Sequence, residues 1–127
     1  MELATICADQ SMPLLIGGDF NLLRSASDKN KSIRSMRWSD AFNGIINTHE
    51  MREIDMSGGQ YTWSNNQAIP TLEKLDRFLM NKRWEMLFPL ATVHKITREM
   101  SDHNPIIIDT MEGREKRRND FRFEKVG

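Results

Sequence analysis

One cysteine stands in 127 residues, so Cys7 has no partner for an internal disulfide. Its neighbours Ile6 and Ala8 are apolar, which makes it a small buried hydrophobe of a chain kept in a reducing compartment. Net charge is also lacking: 18 basic residues balance 18 acidic ones. No global basic field marks a nucleic-acid binder, and any hold on phosphate must come from local groups or a metal. No apolar run approaches the ~20 residues a membrane-spanning helix needs, and no basic segment followed by an apolar stretch opens the chain. A soluble, intracellular protein without a membrane partner is expected. No internal repeat is present. What remains is ordinary globular composition, 39% hydrophobic and 28% charged, enough for one domain or less with a sizeable core. The nine methionines are scattered and read as core filling.

The chain is organised around Leu14-Leu15-Ile16-Gly17-Gly18-Asp19-Phe20-Asn21. An apolar run bounded by Pro13 and Gly18 predicts a short strand buried on both faces, delivering an acid and an amide to its end. Two readings of Asp19 and Asn21 stand side by side. The pair is either a turn whose side chains bond nearby backbone, or a site loop offering anionic oxygens to a cation and an amide to a phosphate.

Upstream, Glu2 to Ala8 predict the last turns of a helix, as if the chain began mid-fold, with a break at Asp9-Gln10-Ser11. Arg24 to Lys31 is polar and predicts a solvated, flexible loop. Trp38, Phe42, Ile45 and Ile46 recur on one helical face, with Ser35 as cap and Arg37, Asp40 and Asn43 outward. His49 near that helix's end favours capping over catalysis. Ser57-Gly58-Gly59 predicts a turn, and Gln60 to Ser64 a strand paired with a second at Leu75 to Met80 across a long loop, Asn65 to Lys74. Asn81 caps a short helix bearing Trp84, Leu87 and Phe88, stopped by Pro89. Val93 and Ile96 lie in a strand-like segment with His94 on its surface. Pro105-Ile106-Ile107-Ile108 predicts a core strand, and Glu112 to Lys125 a charged tail or linker with clustered Arg114, Lys116, Arg117 and Arg118.

Three segment ends carry chemistry: Asp19 with Asn21, Asp76, and Asp102 with His103. With their neighbours they form four ordered blocks, Gly-Gly-Asp-Phe-Asn at 17–21, Tyr-Thr-Trp-Ser-Asn at 61–65, Leu-Asp-Arg-Phe-Leu at 75–79 and Ser-Asp-His-Asn-Pro at 101–105. These blocks resemble the C-terminal half of the endonuclease/exonuclease/phosphatase superfamily of Mg-dependent phosphodiesterases. The wording is most similar to the endonuclease domains of plant LINE-type (non-LTR) retrotransposon polyproteins. Phe121-Arg122-Phe123-Glu124 resembles the linker toward their reverse transcriptase.

The resemblance implies an α/β fold, a partial two-sheet β-sandwich flanked by helices over residues 1–111, followed by a tail at 112–127. It implies that Asp19 orients or activates the attacking water, Asn21 holds the phosphate, His103 contacts the scissile phosphate and Asp76 orients that imidazole. Asp102, with Asp19, resembles the metal-binding carboxylates for Mg²⁺. Such types suit the reaction, because attack by water on an anionic diester needs charge neutralisation and an imidazole held in one tautomer. It further implies DNA as partner, with Trp63, Asn65 and Lys74 around the target-reading loop and Lys74 on a phosphate, and a nuclear location.

The superfamily's N-terminal half supplies an Asn and the principal metal-binding Glu, and before Asp19 this sequence has only Glu2, in another context. Weak Mg²⁺ binding, little or no activity of the chain by itself, and unpaired sheet edges open to self-association are therefore expected. A non-catalytic retrotransposon-derived remnant acting as a binding module is the alternative, and a sugar- or lipid-phosphate hydrolase a further one.

Overall fold

The computed structural model describes residues 2–31, 37–97 and 102–111. Ser35 and the 112–127 tail lie outside the described residues. The elements are α1 (Glu2–Ala8), β1 (Leu15–Asp19), a 3-10 turn (Ala26–Asp28), α2 (Arg37–Thr48), β2 (Arg52–Glu53) and β3 (Met56–Ser57). There follow β4 (Trp63–Ser64), β5 (Leu72–Glu73), β6 (Asp76–Met80), α3 (Lys82–Leu87), β7 (Thr92–Lys95) and β8 (Ile106–Asp109). The described residues are mixed α/β, with three helices and three small sheets in the orders β1-β6-β2, β3-β7-β8 and β4-β5. None of the described helices is long and apolar enough to cross a membrane.

Strand β6 divides the core, because successive side chains of a strand point to opposite faces. Leu79 joins Cys7, Phe42, Ile46 and Met51 in one buried cluster, which α1 and α2 cover. Phe78 and Met80 face the other way, into a cluster of Ile54, Trp84 and Val93 with Ile106 and Ile108 packed against it. Cys7 is fully buried, as its apolar neighbours predict. Along α2 the expected face is displaced: Phe42 and Ile46 are buried, but Trp38 is 63% exposed. Asn43, expected outward, is instead half-buried, with its amide on the Arg24 carbonyl at 2.7 Å.

Three other expectations are corrected. Strand β1 is half-buried at Leu15 and Ile16 and exposed from Gly17 to Asp19, because it lies at a sheet edge, and so it is not buried on both faces. Strand β8 is likewise an edge strand, with Ile107 48% exposed. The residues before Ser64 do not pair with 75–80 across an open loop; β4 pairs with β5 inside that loop, and β6 pairs with β1 and β2. Thr62 explains the change. Fully buried, its Oγ1 accepts from the amides of Leu75 and Asp76 at 3.0 and 3.1 Å, where a neighbouring strand would otherwise supply the acceptors.

Asn81 does more than cap α3. Its Oδ1 accepts from Trp84 N, the expected cap, and also from Leu14 N, both at 2.9 Å, while its Nδ2 donates to the Met12 carbonyl at 2.8 Å. One buried amide thus starts a helix and fixes the chain's entry into β1.

Candidate functional site

The β1–β6 ladder places Asp19 opposite Asp76 in register. The segment holding His103 is drawn in by a bridge between Trp63 and His103. It is flanked by Ser64 N donating to the Asp102 carbonyl at 3.0 Å and Asn104 N to the Thr62 carbonyl at 2.8 Å. Residues 62–64 therefore act as the template against which both Asp76 and His103 are set. Once these backbones are fixed, three side chains from distant parts of the sequence meet.

His103 Nδ1 lies 3.0 Å from Asp76 Oδ2, and His103 Nε2 lies 3.7 Å from Asp19 Oδ2. Asp76 is the sheltered member, its side chain 14% exposed, whereas Asp19 and His103 open to solvent at 43% and 40%. The ligand atoms of Asp19, Asp76 and His103 all lie within 4.8 Å of one another, a group able to hold a metal ion. With the imidazole neutral, two carboxylates face it and the local charge is negative, which favours a cation in their midst.

The two readings of Asp-x-Asn prove compatible. Asp19 Oδ1 accepts from Asn21 N at 2.7 Å, a local turn, while Oδ2 of the same carboxylate faces His103. Asn21 sits at φ 53°, in the left-handed region that Asn tolerates better than most residues, and is exposed beside the cluster. Among the described residues its carboxamide makes no hydrogen bond. Asp102, expected as a metal ligand, is outside the three-residue group; its Oδ1 accepts from Asn66 Nδ2 at 3.0 Å.

Compared with protein-family models, with curated proteins and with solved structures, the chain matches none.

The residues expected to meet nucleic acid are placed differently from one another. Trp63 is half-buried beside His103. Asn65 ties the loop closed, its Oδ1 accepting from the amides of Gln67 and Thr71 at 3.2 and 3.0 Å. Lys74, expected on a phosphate, is engaged within the protein: its Nζ lies 2.5 Å from Glu53 Oε2 and its side chain is 15% exposed.

Glu53 is the hub of a network that sequence reasoning missed. Arg24 and Arg77 reach its Oε1 at 3.0 and 3.2 Å, and Arg77, 1% exposed, also lies 3.4 Å from Asp28. Arg77 Nη2 donates to the carbonyls of Leu22 and Lys74 at 3.0 and 2.6 Å. Its guanidinium stands 5.9 Å from the Phe42 ring centre, and among the described residues its Nε has no hydrogen-bond partner. Burial pushes the Glu53 carboxyl up, but the Lys74 hydrogen bond, the charges of Arg77 and Lys74 and the Arg24 hydrogen bond outweigh it and hold the group below its ordinary value. The 24–31 segment is thus not a free solvated loop, since Arg24 and Asp28 stitch it to β2 and β6. The sequence signal for this network is Arg77, a basic residue leading directly into the apolar run Phe78-Leu79-Met80.

Proposed function

We propose that the chain is the C-terminal half of a Mg-dependent phosphodiesterase domain of the endonuclease/exonuclease/phosphatase type, related to LINE-type endonucleases, and that alone it is weakly active or inactive. The reading includes the two-sheet sandwich of that superfamily as the complete fold. The observation that carries it is the meeting of Asp19, Asp76 and His103 from three of the four resemblance blocks at one solvent-open point. In this reading His103 in its protonated form donates from Nε2 to a phosphoryl oxygen, Asp76 accepts from Nδ1 and supports that cation, Asp19 orients the attacking water and Asn21 offers its amide to the phosphate. DNA is the substrate, met by Trp63 and the 65–74 loop; the Lys74 contact would require that side chain to leave Glu53.

Magnesium would supply charge neutralisation at the phosphate when bound. The three-residue group does not fit it well, because Mg²⁺ prefers near-octahedral oxygen ligands and this group presents a nitrogen and only two carboxylates, one of them committed to the imidazole. Asp102 adds an oxygen only if its bond to Asn66 is given up. Mg²⁺ therefore belongs to this proposal as a weakly held ion.

A nicking assay on supercoiled plasmid with the purified chain, with and without Mg²⁺, is expected to give little or no cleavage above background. Robust Mg-dependent nicking abolished by His103→Ala would establish a competent enzyme and overturn the inactive half-domain. The alternative, a non-catalytic binding module, is favoured by one observation: β1 is an edge strand exposed over Gly17 to Asp19, open to another strand. A stable monomer by size exclusion that binds neither DNA nor protein would sink that alternative.

A further inference from the structure

We propose that the chain's own C-terminal segment docks in the cleft between β2 and the α3–β7 connection, with a phenyl ring of Phe121-Arg122-Phe123 entering it. The inference goes beyond the phosphodiesterase reading and does not depend on it.

The cleft has a volume of about 220 Å³. Half of the residues lining it are apolar: Ile54, Met80, Phe88, Pro89 and Ala91. Ile54 and Met80 belong to the buried cluster around Trp84 and Val93, so the opening reaches down to the core. A cavity of ~150 Å³ walled by such side chains already takes up a benzene ring, so this one has room for one phenyl group. The other half of the lining includes the carboxylates of Asp55 and Glu85. Asp55 is exposed and makes no hydrogen bond or ion pair among the described residues, and Glu85 is held by the exposed Arg52 at 2.7 Å. An occupant that pairs an aromatic ring with basic side chains matches both halves.

The 112–127 segment has that chemistry. Phe121 and Phe123 flank Arg122, and Arg114, Lys116, Arg117 and Arg118 precede them. Position is the second argument. Thr92 lines the cleft and is paired in register with Asp109, so the chain leaves β8 about 5 Å, one strand spacing, from the lining. Ten residues lead from Met111 to Phe121, a reach of roughly 33 Å, ample for either ring to arrive. A ring tethered so closely acts at an effective concentration in the ~mM range, which favours the chain's own segment over a second copy or another protein.

Limited trypsin digestion of the full chain tests this at the bond after Arg122, which docking shields. Ala91→Glu puts a charge into the cleft and leaves the segment's sequence intact. Cleavage after Arg122 is expected to be at least about tenfold faster in that variant, because proteolysis follows the open population and burial of a phenyl ring is worth that factor or more. Cleavage after the buried Arg77, which reports global unfolding, should stay unchanged. Should Ala91→Glu fail to fold, methyl resonances decide: Phe121→Ala with Phe123→Ala must shift those of Ile54 and Met80 and leave that of Ile46, in the other core, in place. Equal cleavage after Arg122 in both folded chains, or Ile54 and Met80 resonances indifferent to loss of both rings, overturns the proposal. A dimer in sedimentation that disappears with the two rings also overturns it, because the segment would then sit on a second copy. So does a free 112–127 peptide that binds the unaltered chain as tightly as the doubly substituted one, since the cleft would then be vacant for other chains.

Discussion

Asp19 and Asp76 stand opposite each other in the β1–β6 register, and the imidazole of His103 lies against both carboxylates. That relationship depends on Thr62, whose hydroxyl accepts from the amides of Leu75 and Asp76 at the start of β6. Thr62→Val keeps the shape and strips both amides of their acceptor. An orphaned buried donor costs ~1–3 kcal/mol, so a loss of at least about 2 kcal/mol is expected in urea denaturation. Thr62→Ser, which keeps the oxygen, should lose clearly less.

Asn81 ties α3 to the entrance of β1 through three side-chain hydrogen bonds. Asn81→Ala removes a helix cap, ordinarily ~1 kcal/mol, and leaves Leu14 N and the Met12 carbonyl unmatched, for a total of about 2–4 kcal/mol. Asn81→Asp retains the acceptor and should recover part of that, measured by thermal unfolding.

Gly17 faces Phe78 across the ladder, and a methyl group on it would collide with Phe78 Cε1. Gly17→Ala must therefore displace the aromatic ring, at a cost of ~1–3 kcal/mol. In a Phe78→Ala background the same substitution should cost much less, a coupling that a double-mutant cycle reads directly.

Glu53 sets an acid limit on stability. Its folded-state pKa is depressed from the ordinary 4.5, so the unfolded chain takes up the proton first as pH falls. The stabilisation is fully present above about 4.5 and is lost as pH drops from there through the folded value. Glu53→Gln leaves Arg24, Lys74 and the buried Arg77 facing a neutral amide. A loss of about 3 kcal/mol at neutral pH is expected, together with a flatter acid limb in denaturation midpoints measured between neutral pH and acid.

Segments that carry their own signal were legible in the sequence. Leu15 to Asp19 show an apolar run and a stop, Asn81 shows a cap followed by Trp84, and Cys7 shows apolar neighbours. The residues of the Asp19, Asp76 and His103 cluster were also legible, because each sits in a short local block. Pairing was not legible. Nothing in Tyr61-Thr62-Trp63 says that the Thr62 hydroxyl will replace a neighbouring strand, so the sequence assigns the Gln60–Ser64 strand a partner at 75–80 and places β5 in an open loop. Polar composition made 24–31 look solvated, since a sequence does not show that Arg24 and Asp28 find Glu53 and Arg77. The inward face of α2 is misjudged at Trp38 because an aromatic at helical spacing counts as core whatever its exposure in the fold. Lys74 is assigned to a nucleic-acid phosphate for the same reason that Glu53 goes unnoticed: each explains the other only in three dimensions.

The joining of Asp19 to His103 spans nearly the whole described chain, and this has a consequence for how the molecule is made. During synthesis the two facing carboxylates are complete well before the segment that brings the imidazole between them, and the closure entropy of so long a loop must be met by that late segment. Final maturation is then the docking of the His103 segment against residues 62–64, and a chain stalled just short of it would leave Asp76 without its imidazole partner.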